Sequence, residues 1–210
     1  MKKLLFLFLV LVCANSYAQE FRVGVIGGLN VNSPSDLESQ KGFHAGVKGE
    51  FNFQEASKGL FIDFGTILSS KGWKTTAYYD NTSKESNQWK SIPYYLDIPV
   101  HLGYKFQAGK YASIFASVGP YLSFGLFGKN QIITEDAKGN SKTATNSKNV
   151  FRDHLMERFD WGLGAKVGVE LARYFQVAVG YNWGLRNLKT SKNIMDIKNK
   201  TFQVSCAYMF

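Results

Sequence analysis

Residues 201–210, TFQVSCAYMF, alternate strictly between two kinds of side chain. One set of alternate positions is large and apolar apart from one thiol: Phe202, Val204, Cys206, Tyr208 and Phe210. The intervening positions are mostly small or polar: Thr201, Gln203, Ser205, Ala207 and Met209. A period of two predicts a β-strand whose two faces lie in different environments.

The same alternation recurs along the chain, whereas extended helical periodicity is hard to find. Strands are predicted near residues 21–31, 43–53, 60–69, 94–106, 112–127, 161–171, 175–185 and 201–210. These eight strands are not divided by any Pro/Ser-rich linker. The sequence therefore predicts a single domain, residues 19–210.

The connections between these strands alternate between long and short. The long ones cover roughly 32–42, 70–93, 128–159 and 187–200, and the short ones 54–59, 107–111 and 172–174. An even strand number with long loops on one side and tight turns on the other is typical of bacterial outer-membrane barrels. We predict an all-β fold, an eight-stranded antiparallel up-and-down transmembrane β-barrel with periplasmic termini and extracellular long loops.

The placement of charge separates a membrane barrel from a soluble one. A soluble barrel such as a lipocalin holds large apolar side chains inside and charges outside. Here the charged side chains share the face that carries many glycines, so they point into a narrow lumen and the large apolar face meets lipid. Buried charges must pair with one another. The predicted lumenal polar network is Arg22, His44, Lys48, Glu50, Asp63, Asp97, His101, Lys105, Lys166 and Glu170.

Aromatic side chains gather at both ends of the predicted strands, as expected where hydrocarbon meets headgroups. Toward the short turns lie Phe21, Phe53, Tyr104, Phe106, Tyr111, Tyr174, Phe175, Tyr208 and Phe210. Toward the long loops lie Trp73, Tyr94, Trp161, Trp183 and Phe202. The sequence thus predicts two aromatic belts.

The first residues predict a signal peptide, residues 1–18. Lys2 and Lys3 precede an apolar run, and Ser16-Tyr17-Ala18 supplies the small-residue cleavage pattern. The run is about half the roughly 20 residues that a membrane helix needs. Cleavage after Ala18 leaves Cys206 as the one cysteine of the mature chain, so no intramolecular disulfide is expected.

Several short phrases carry a family resemblance. The most specific are Tyr95-Leu96-Asp97-Ile98-Pro99-Val100 and Gly119-Pro120-Tyr121-Leu122. The others are GVIGGLN at 24–30, Lys71-Gly72, Phe159-Asp160-Trp161-Gly162, Tyr181-Asn182-Trp183-Gly184-Leu185 and the terminal Phe210. In these phrases the chain resembles the PorT-like outer-membrane β-barrel family over nearly all of its mature length.

The resemblance implies a barrel fold and an outer-membrane location, and it carries no catalytic or binding residues. Tyr208 and Phe210, on an alternating last strand, resemble the signal read by the barrel-insertion machinery. Because the namesake is linked to protein secretion, an accessory role in secretion or adhesion is one alternative function.

A second alternative is a lipid-modifying enzyme, because some small outer-membrane barrels act as hydrolases or acyltransferases through a His with Ser or Asp. The candidates are His44, His101 and His154. His44 and His101 point into the lumen on this interpretation, away from lipid, which favours satisfied core histidines. We expect no enzyme activity, no cofactor and no metal site.

The formal net charge of +9 raises the question of anionic partners. The lysines are spread over loops without a clustered stripe, so nucleic acid is not expected. Lysines expected near anionic lipopolysaccharide are Lys71, Lys74, Lys84, Lys90, Lys129, Lys142, Lys148, Lys189 and Lys192. Residues 130–149 are polar and are expected to be mobile in isolation, a place where an unknown protein partner could bind. The sequence favours a structural or interaction role among outer-membrane lipids, with a side-chain-filled lumen rather than a pore.

Overall fold

Eight long strands form the body of the molecule. The computed structural model describes residues 20–81, 84–136, 140–190 and 197–210. The long strands are β1 (Glu20–Asn32), β2 (Glu38–Asn52), β3 (Gly59–Ser70), β6 (Glu85–Gln107), β7 (Ala112–Asp136), β9 (Phe159–Leu171), β10 (Phe175–Gly184) and β11 (Lys200–Met209). Three short strands lie between them: β4 (Trp73–Lys74), β5 (Tyr78–Asp80) and β8 (Ser141–Ser147). The predicted signal peptide lies outside the described residues.

The long strands pair into a closed barrel in which all neighbours are antiparallel. β1 pairs with both β2 and β11, with Glu20 opposite Asn52 and Gly24 opposite Met209. The other neighbours are β2–β3, β3–β6, β6–β7, β7–β9, β9–β10 and β10–β11. The predicted eight-stranded up-and-down barrel is confirmed.

The two ends of the barrel differ in how the strands are joined. At the turn end, residues 53–58, 108–111 and 172–174 connect the strands, as predicted. Ala172 and Arg173 have φ values of 52° and 67°, the left-handed pair typical of a two-residue hairpin turn. The opposite end, where the longer connections lie, is called the loop end below.

Two of the predicted long loops are strand instead. The extent predicted for the first loop, 32–42, is wrong, because β1 and β2 stay paired as far as Asn32 opposite Gln40. Only residues 33–37 lie between the two strands. The loop predicted at 70–93 contains β4, β5 and the first part of β6. Polar residues at these positions do not prevent pairing, because strand backbones at the loop end still satisfy one another's hydrogen bonds.

The third long connection is also ordered by strand pairing. Residues 85–94 of β6 pair with 127–136 of β7, and β8 pairs with the other edge of β7. In the segment 130–149, which was expected to be mobile in isolation, residues 130–136 and 141–147 are thus in paired strands. The segment contains the β-branched residues Ile132, Ile133, Thr134, Thr143 and Thr145, which suit a paired strand.

The outward face of the barrel is apolar and the inward face is polar. Leu29, Val118 and Val47 expose 68%, 58% and 57% of their surface, whereas Glu50 exposes none. Exposed apolar area is unfavourable in water by roughly 25 cal/mol per Å², and hydrocarbon removes that penalty. This inverted distribution is that of a transmembrane barrel. No helix in the described ranges has the length and apolar character to cross a membrane.

Aromatic side chains form contacts around both ends of the apolar face. At the turn end the ring of Tyr208 lies 5.1 Å from that of Phe175 and 5.3 Å from that of Phe210, between centroids. At the loop end Tyr94 stacks on Phe127 at 4.9 Å. Trp73 was wrongly predicted in this belt, because it is half-buried and packs against an apolar cluster beneath the loops.

That cluster lies at the loop end of the barrel, and we call it the apolar cap. Its buried members are Tyr95, Val150, Phe151, Met156, Leu188 and Ile197. The ring of Phe151 lies over Gly125 of β7, where an added Cβ atom would stand 2.4 Å from the ring, so glycine is needed there. The sequence did not predict the cap, because most of its members lie in connections without a periodic pattern.

A substitution at Val179 on β10 tests whether the outward face of the barrel contacts lipid, since this side chain exposes 43% of its surface on that face. We expect Val179→Arg to destabilise the inserted barrel by roughly 2–4 kcal/mol, because the guanidinium would enter hydrocarbon. Val179→Leu, the control, should insert normally. The fraction of folded, heat-modifiable protein in the outer-membrane fraction measures both, and normal assembly of the Arg variant would contradict the lipid-facing assignment.

Candidate functional site in the barrel lumen

Glu50 on β2 and Glu170 on β9 form the centre of the lumenal network near the turn end. Arg22 Nη2 lies 2.7 Å from Glu50 Oε2 and 2.6 Å from Glu170 Oε2. Lys105 Nζ lies 2.7 Å and 2.8 Å from the same two oxygens. The carboxylates are 0% and 1% exposed, so attraction to these cations must offset their lost hydration.

Asp63 on β3 extends the network toward the middle of the barrel. Lys48 Nζ bridges it to the centre, at 3.1 Å from Glu50 Oε1 and 3.4 Å from Asp63 Oδ1. Lys166 on β9 forms a further ion pair with Asp63. Five different strands thus place charged side chains in one connected cluster.

Gln176 on β10 completes this cluster, although the sequence prediction missed it. Its Nε2 donates to Glu50 Oε1 and to Glu170 Oε2 at 2.7 Å each, and its Oε1 accepts from Lys48 Nζ at 2.7 Å. A neutral amide gives no charge signal in a sequence. Its place on the inward face of an alternating strand was the one clue.

Asp97 belongs to a separate group nearer the loop end. Lys71 Nζ lies 2.8 Å from Asp97 Oδ1 and donates to Ser123 Oγ at 2.8 Å, while the Ser123 hydroxyl also donates to Asp97. The same ammonium lies 5.1 Å and 4.9 Å from the ring centroids of Tyr95 and Tyr121. Cation–π contact and the ion pair together compensate for the complete burial of this lysine.

The prediction that Lys71 lies at the outer surface is therefore wrong. Its backbone follows β3 directly, and its long side chain turns into the lumen to neutralise a carboxylate that has no other cation within ion-pair distance among the described residues. The predicted surface lysines that are exposed or half-buried are Lys74, Lys84, Lys90, Lys129, Lys142, Lys148 and Lys189. Lys192 lies outside the described residues.

His44 lies in a hydrogen-bonded chain that crosses several strands. Its Nδ1 is 2.6 Å from Asn30 Oδ1, and its Nε2 is 2.9 Å from Ser205 Oγ. Asn30 Nδ2 in turn donates to Ser69 Oγ at 2.8 Å. A hydroxyl, an imidazole and an amide therefore stand in the order that nucleophilic catalysis uses.

His101 faces the same interior space but is placed differently. A cavity of about 50 Å³ is walled by His44, His101, Asp97, Lys166 and Ser205 among others. Neither ring nitrogen of His101 has a hydrogen-bond partner in the part of the chain that the structure describes. The cavity volume suits a few water molecules and is far too small for a lipid acyl chain.

The remaining candidate positions lie outside the lumen. Tyr208 and Phe210, predicted as the assembly signal, point outward at the turn end and are 38% and 67% exposed. Cys206 is also exposed on the outward face, and His154 lies in the connection before β9 at an exposed position. Within the described ranges, no group of three or more His, Cys, Asp or Glu side chains is arranged to hold a metal ion.

A closed barrel with an apolar outer face, aromatic belts and an ion-paired interior defines a class, the small integral outer-membrane β-barrel proteins. Residues 17–190 match the family model described as "Outer membrane protein beta-barrel domain". The chain belongs to this outer-membrane β-barrel family. No curated protein matches it in sequence.

Solved structures with a similar arrangement of strands include three bacterial proteins. Ail, the attachment invasion locus protein of Yersinia pestis, solved with the heparin analogue sucrose octasulfate, is 16% identical with a TM-score of 0.36, covering 91% of this chain and 99% of that one. Neisserial surface protein A is 14% identical with a TM-score of 0.42 over 91% and 99%. The outer membrane protein OprG of Pseudomonas aeruginosa is 12% identical with a TM-score of 0.38 over 92% and 96%.

Glu50→Gln tests how far the barrel depends on the lumenal charges. The substitution leaves Arg22, Lys48 and Lys105 with too little negative charge nearby, and we expect the free energy of unfolding to fall by about 3–5 kcal/mol. The control is Glu55→Gln, which removes an exposed pair with Lys58 and should change stability by about 1 kcal/mol or less. Urea titration of the barrel in lipid vesicles measures both, and equal effects would show that the network is not stabilising.

Proposed function

We propose that this protein is a barrel without enzymatic or channel activity that holds a β-sheet at the outer face of the cell for contact with another molecule. The observation that carries the proposal is the length of β6 and β7, which have 23 and 25 residues. A tilted membrane strand needs only about 9–11 residues. The excess projects from the loop end.

The projecting part is a four-stranded sheet in the order β5-β6-β7-β8. β8 pairs with β7 alone among the described strands, and its residues 141–146 are all exposed. A free strand edge offers backbone N–H and C=O groups to an extended segment of another chain. This geometry supports a protein partner that adds a strand next to β8.

The closed lumen supports a role without conduction. Near the turn end, ion pairs connect opposite walls through Glu50 and Glu170. The group around Lys71 and the apolar cap lie between this network and the loop end. Because an eight-stranded barrel has only enough interior for its own side chains, we propose that solutes do not pass.

The loop end is proposed to face the cell exterior and the turn end the periplasm. Lys41, Lys129 and Lys200 are exposed on the outward face, each two positions beyond an aromatic residue of the loop-end belt. Cations at that level suit the phosphates of lipopolysaccharide, which we propose as the surrounding lipid. The predicted signal peptide fits export to that membrane, and Tyr208 and Phe210 remain predictions as the assembly signal.

The PorT-like resemblance stays a finer prediction within the family. It would make the partner a component of protein secretion or adhesion. The exposed edge of β8 is compatible with such a partner, since strand addition recognises backbone rather than a particular side chain.

Photocrosslinking at Thr143 tests the interaction role. A photoreactive residue at this exposed position of β8 should yield discrete adducts of higher mass in intact cells, because a partner strand would lie within reach. The same residue at the lipid-facing Val179 is the control and should yield no protein adduct. A Thr143 variant that assembles fully but gives the same pattern as the control would contradict the proposal.

A second candidate function is a lipid hydrolase, which is favoured by the hydrogen bonds that connect Ser205, His44 and Asn30. Its geometry would let His44 accept the Ser205 proton. Burial opposes it, because His44 is 2% exposed and the adjoining cavity of about 50 Å³ admits no acyl chain. We propose that this chain of hydrogen bonds fixes the inner walls of β1, β2 and β11.

A fluorophosphonate probe distinguishes these two roles. We expect the folded barrel to remain unlabelled at Ser205, because the closed lumen excludes the reagent, and Ser205→Ala to give the same result. Peptide mapping by mass spectrometry after exposure measures the labelling. Stoichiometric modification of Ser205 that disappears in His44→Ala would establish a hydrolase and overturn the non-enzymatic proposal.

A further inference from the structure

A cavity of about 290 Å³ lies at the loop end, apart from the lumenal network. One wall consists of strand residues of β4, β6 and β7, and the other of residues from the two connections that flank β9 and β10. The lining includes Trp73, Trp89, Asn130, Leu155 and Met156. Trp89 exposes 40% of its surface and marks the side that solvent reaches. The apolar cap contributes to the cavity wall and lies between it and the interior of the barrel.

Three polar atoms in this wall lack hydrogen-bond partners among the described residues: Trp73 Nε1, Ser91 Oγ and Asn130 Oδ1. They form one row across adjacent strands, because Trp73 is opposite Ser91 and Ser91 is opposite Asn130. Ser91 and Asn130 are only 1% and 6% exposed. Each unpaired buried polar group is unfavourable by about 1–3 kcal/mol, so three at one wall need an explanation.

The hydrogen-bonding capacities of these three groups restrict which ligand groups could pair with them. An indole N–H only donates, an amide oxygen only accepts, and a serine hydroxyl does either. A ligand group that both accepts and donates, such as a hydroxyl, matches the hydrogen-bonding capacities found in this row. The rest of the lining is mainly apolar or aromatic, and the described residues contribute no charged side chain to it, which disfavours a charged ligand.

We propose that this cavity binds a small uncharged molecule with an apolar ring and one hydroxyl group, a phenol being the simplest example. The ring would lie between the two indoles and the apolar side chains, and the hydroxyl would meet the row formed by Trp73, Ser91 and Asn130. Such a pocket has the size and the few converging polar groups of small-molecule sites. The ligand enters from the loop end and is held there, since the lumen below is closed.

The test compares 4-bromophenol with bromobenzene as quenchers of tryptophan fluorescence. The protein is the folded barrel in detergent micelles with Trp161→Phe and Trp183→Phe, which leaves Trp73 and Trp89 as the fluorescent residues. Bromobenzene has the same ring and bromine but no hydroxyl, and it enters micelles more readily. Binding in the cavity therefore predicts saturable quenching with about a tenfold lower half-saturating concentration for 4-bromophenol. Non-saturable quenching, or equal or greater potency of bromobenzene, would overturn the proposal.

Substitutions locate the site. Ser91→Ala and Asn130→Ala should each remove most of the preference for 4-bromophenol, because each deletes a partner of the hydroxyl. Ser39→Ala is the matched control, since Ser39 is opposite Trp73 but exposed and outside the cavity lining. Heat-modifiable migration verifies folding of each variant. An unchanged preference in both folded cavity variants, or in the one that folds, would overturn the assignment even if the parent protein bound the phenol.

Discussion

A strand placed in hydrocarbon must find partners for all its backbone N–H and C=O groups on neighbouring strands, because lipid offers none. In this protein the requirement is met by pairing β1 with β11 as well as with β2. Closing the sheet with only eight strands leaves a narrow interior. Outward side chains at the level of the hydrocarbon then face lipid, and the charged side chains at that level are accommodated inside.

The lumenal network follows from that restriction. Charges in such an interior cannot keep full hydration, so Glu50 and Glu170 are each approached by more than one cation and by the amide of Gln176. The Lys71 side chain turns inward to Asp97 for the same reason. At the loop end, where lipid no longer surrounds the wall, apolar side chains and unpaired polar atoms occur together, and recognition of other molecules becomes physically reasonable.

Much of the barrel could be predicted because alternation reports which face of a strand meets lipid and which meets the lumen. The inward direction of Glu50 or Lys105 follows from strand parity alone. Parity could not give the partners, since these depend on the register between strands distant in sequence. Strand parity also failed in the connections, where Lys71 resembles a surface lysine and Phe151 belongs to no periodic pattern. The lengths of β6 and β7 were not predictable from it either, because backbone pairing rather than side-chain pattern decides how far these strands continue.

The network also bears on the order of assembly. Arg22 and Glu170 are 148 residues apart along the chain, and Lys105 and Glu170 are 65 apart. Contacts of such long range form only after large loops have closed. The complete set of ion pairs around Glu170 therefore forms only after β1, β6 and β9 have come together. Burial of the Glu170 carboxylate among its full set of cations is thus a late event, because it depends on segments that lie far apart in the sequence.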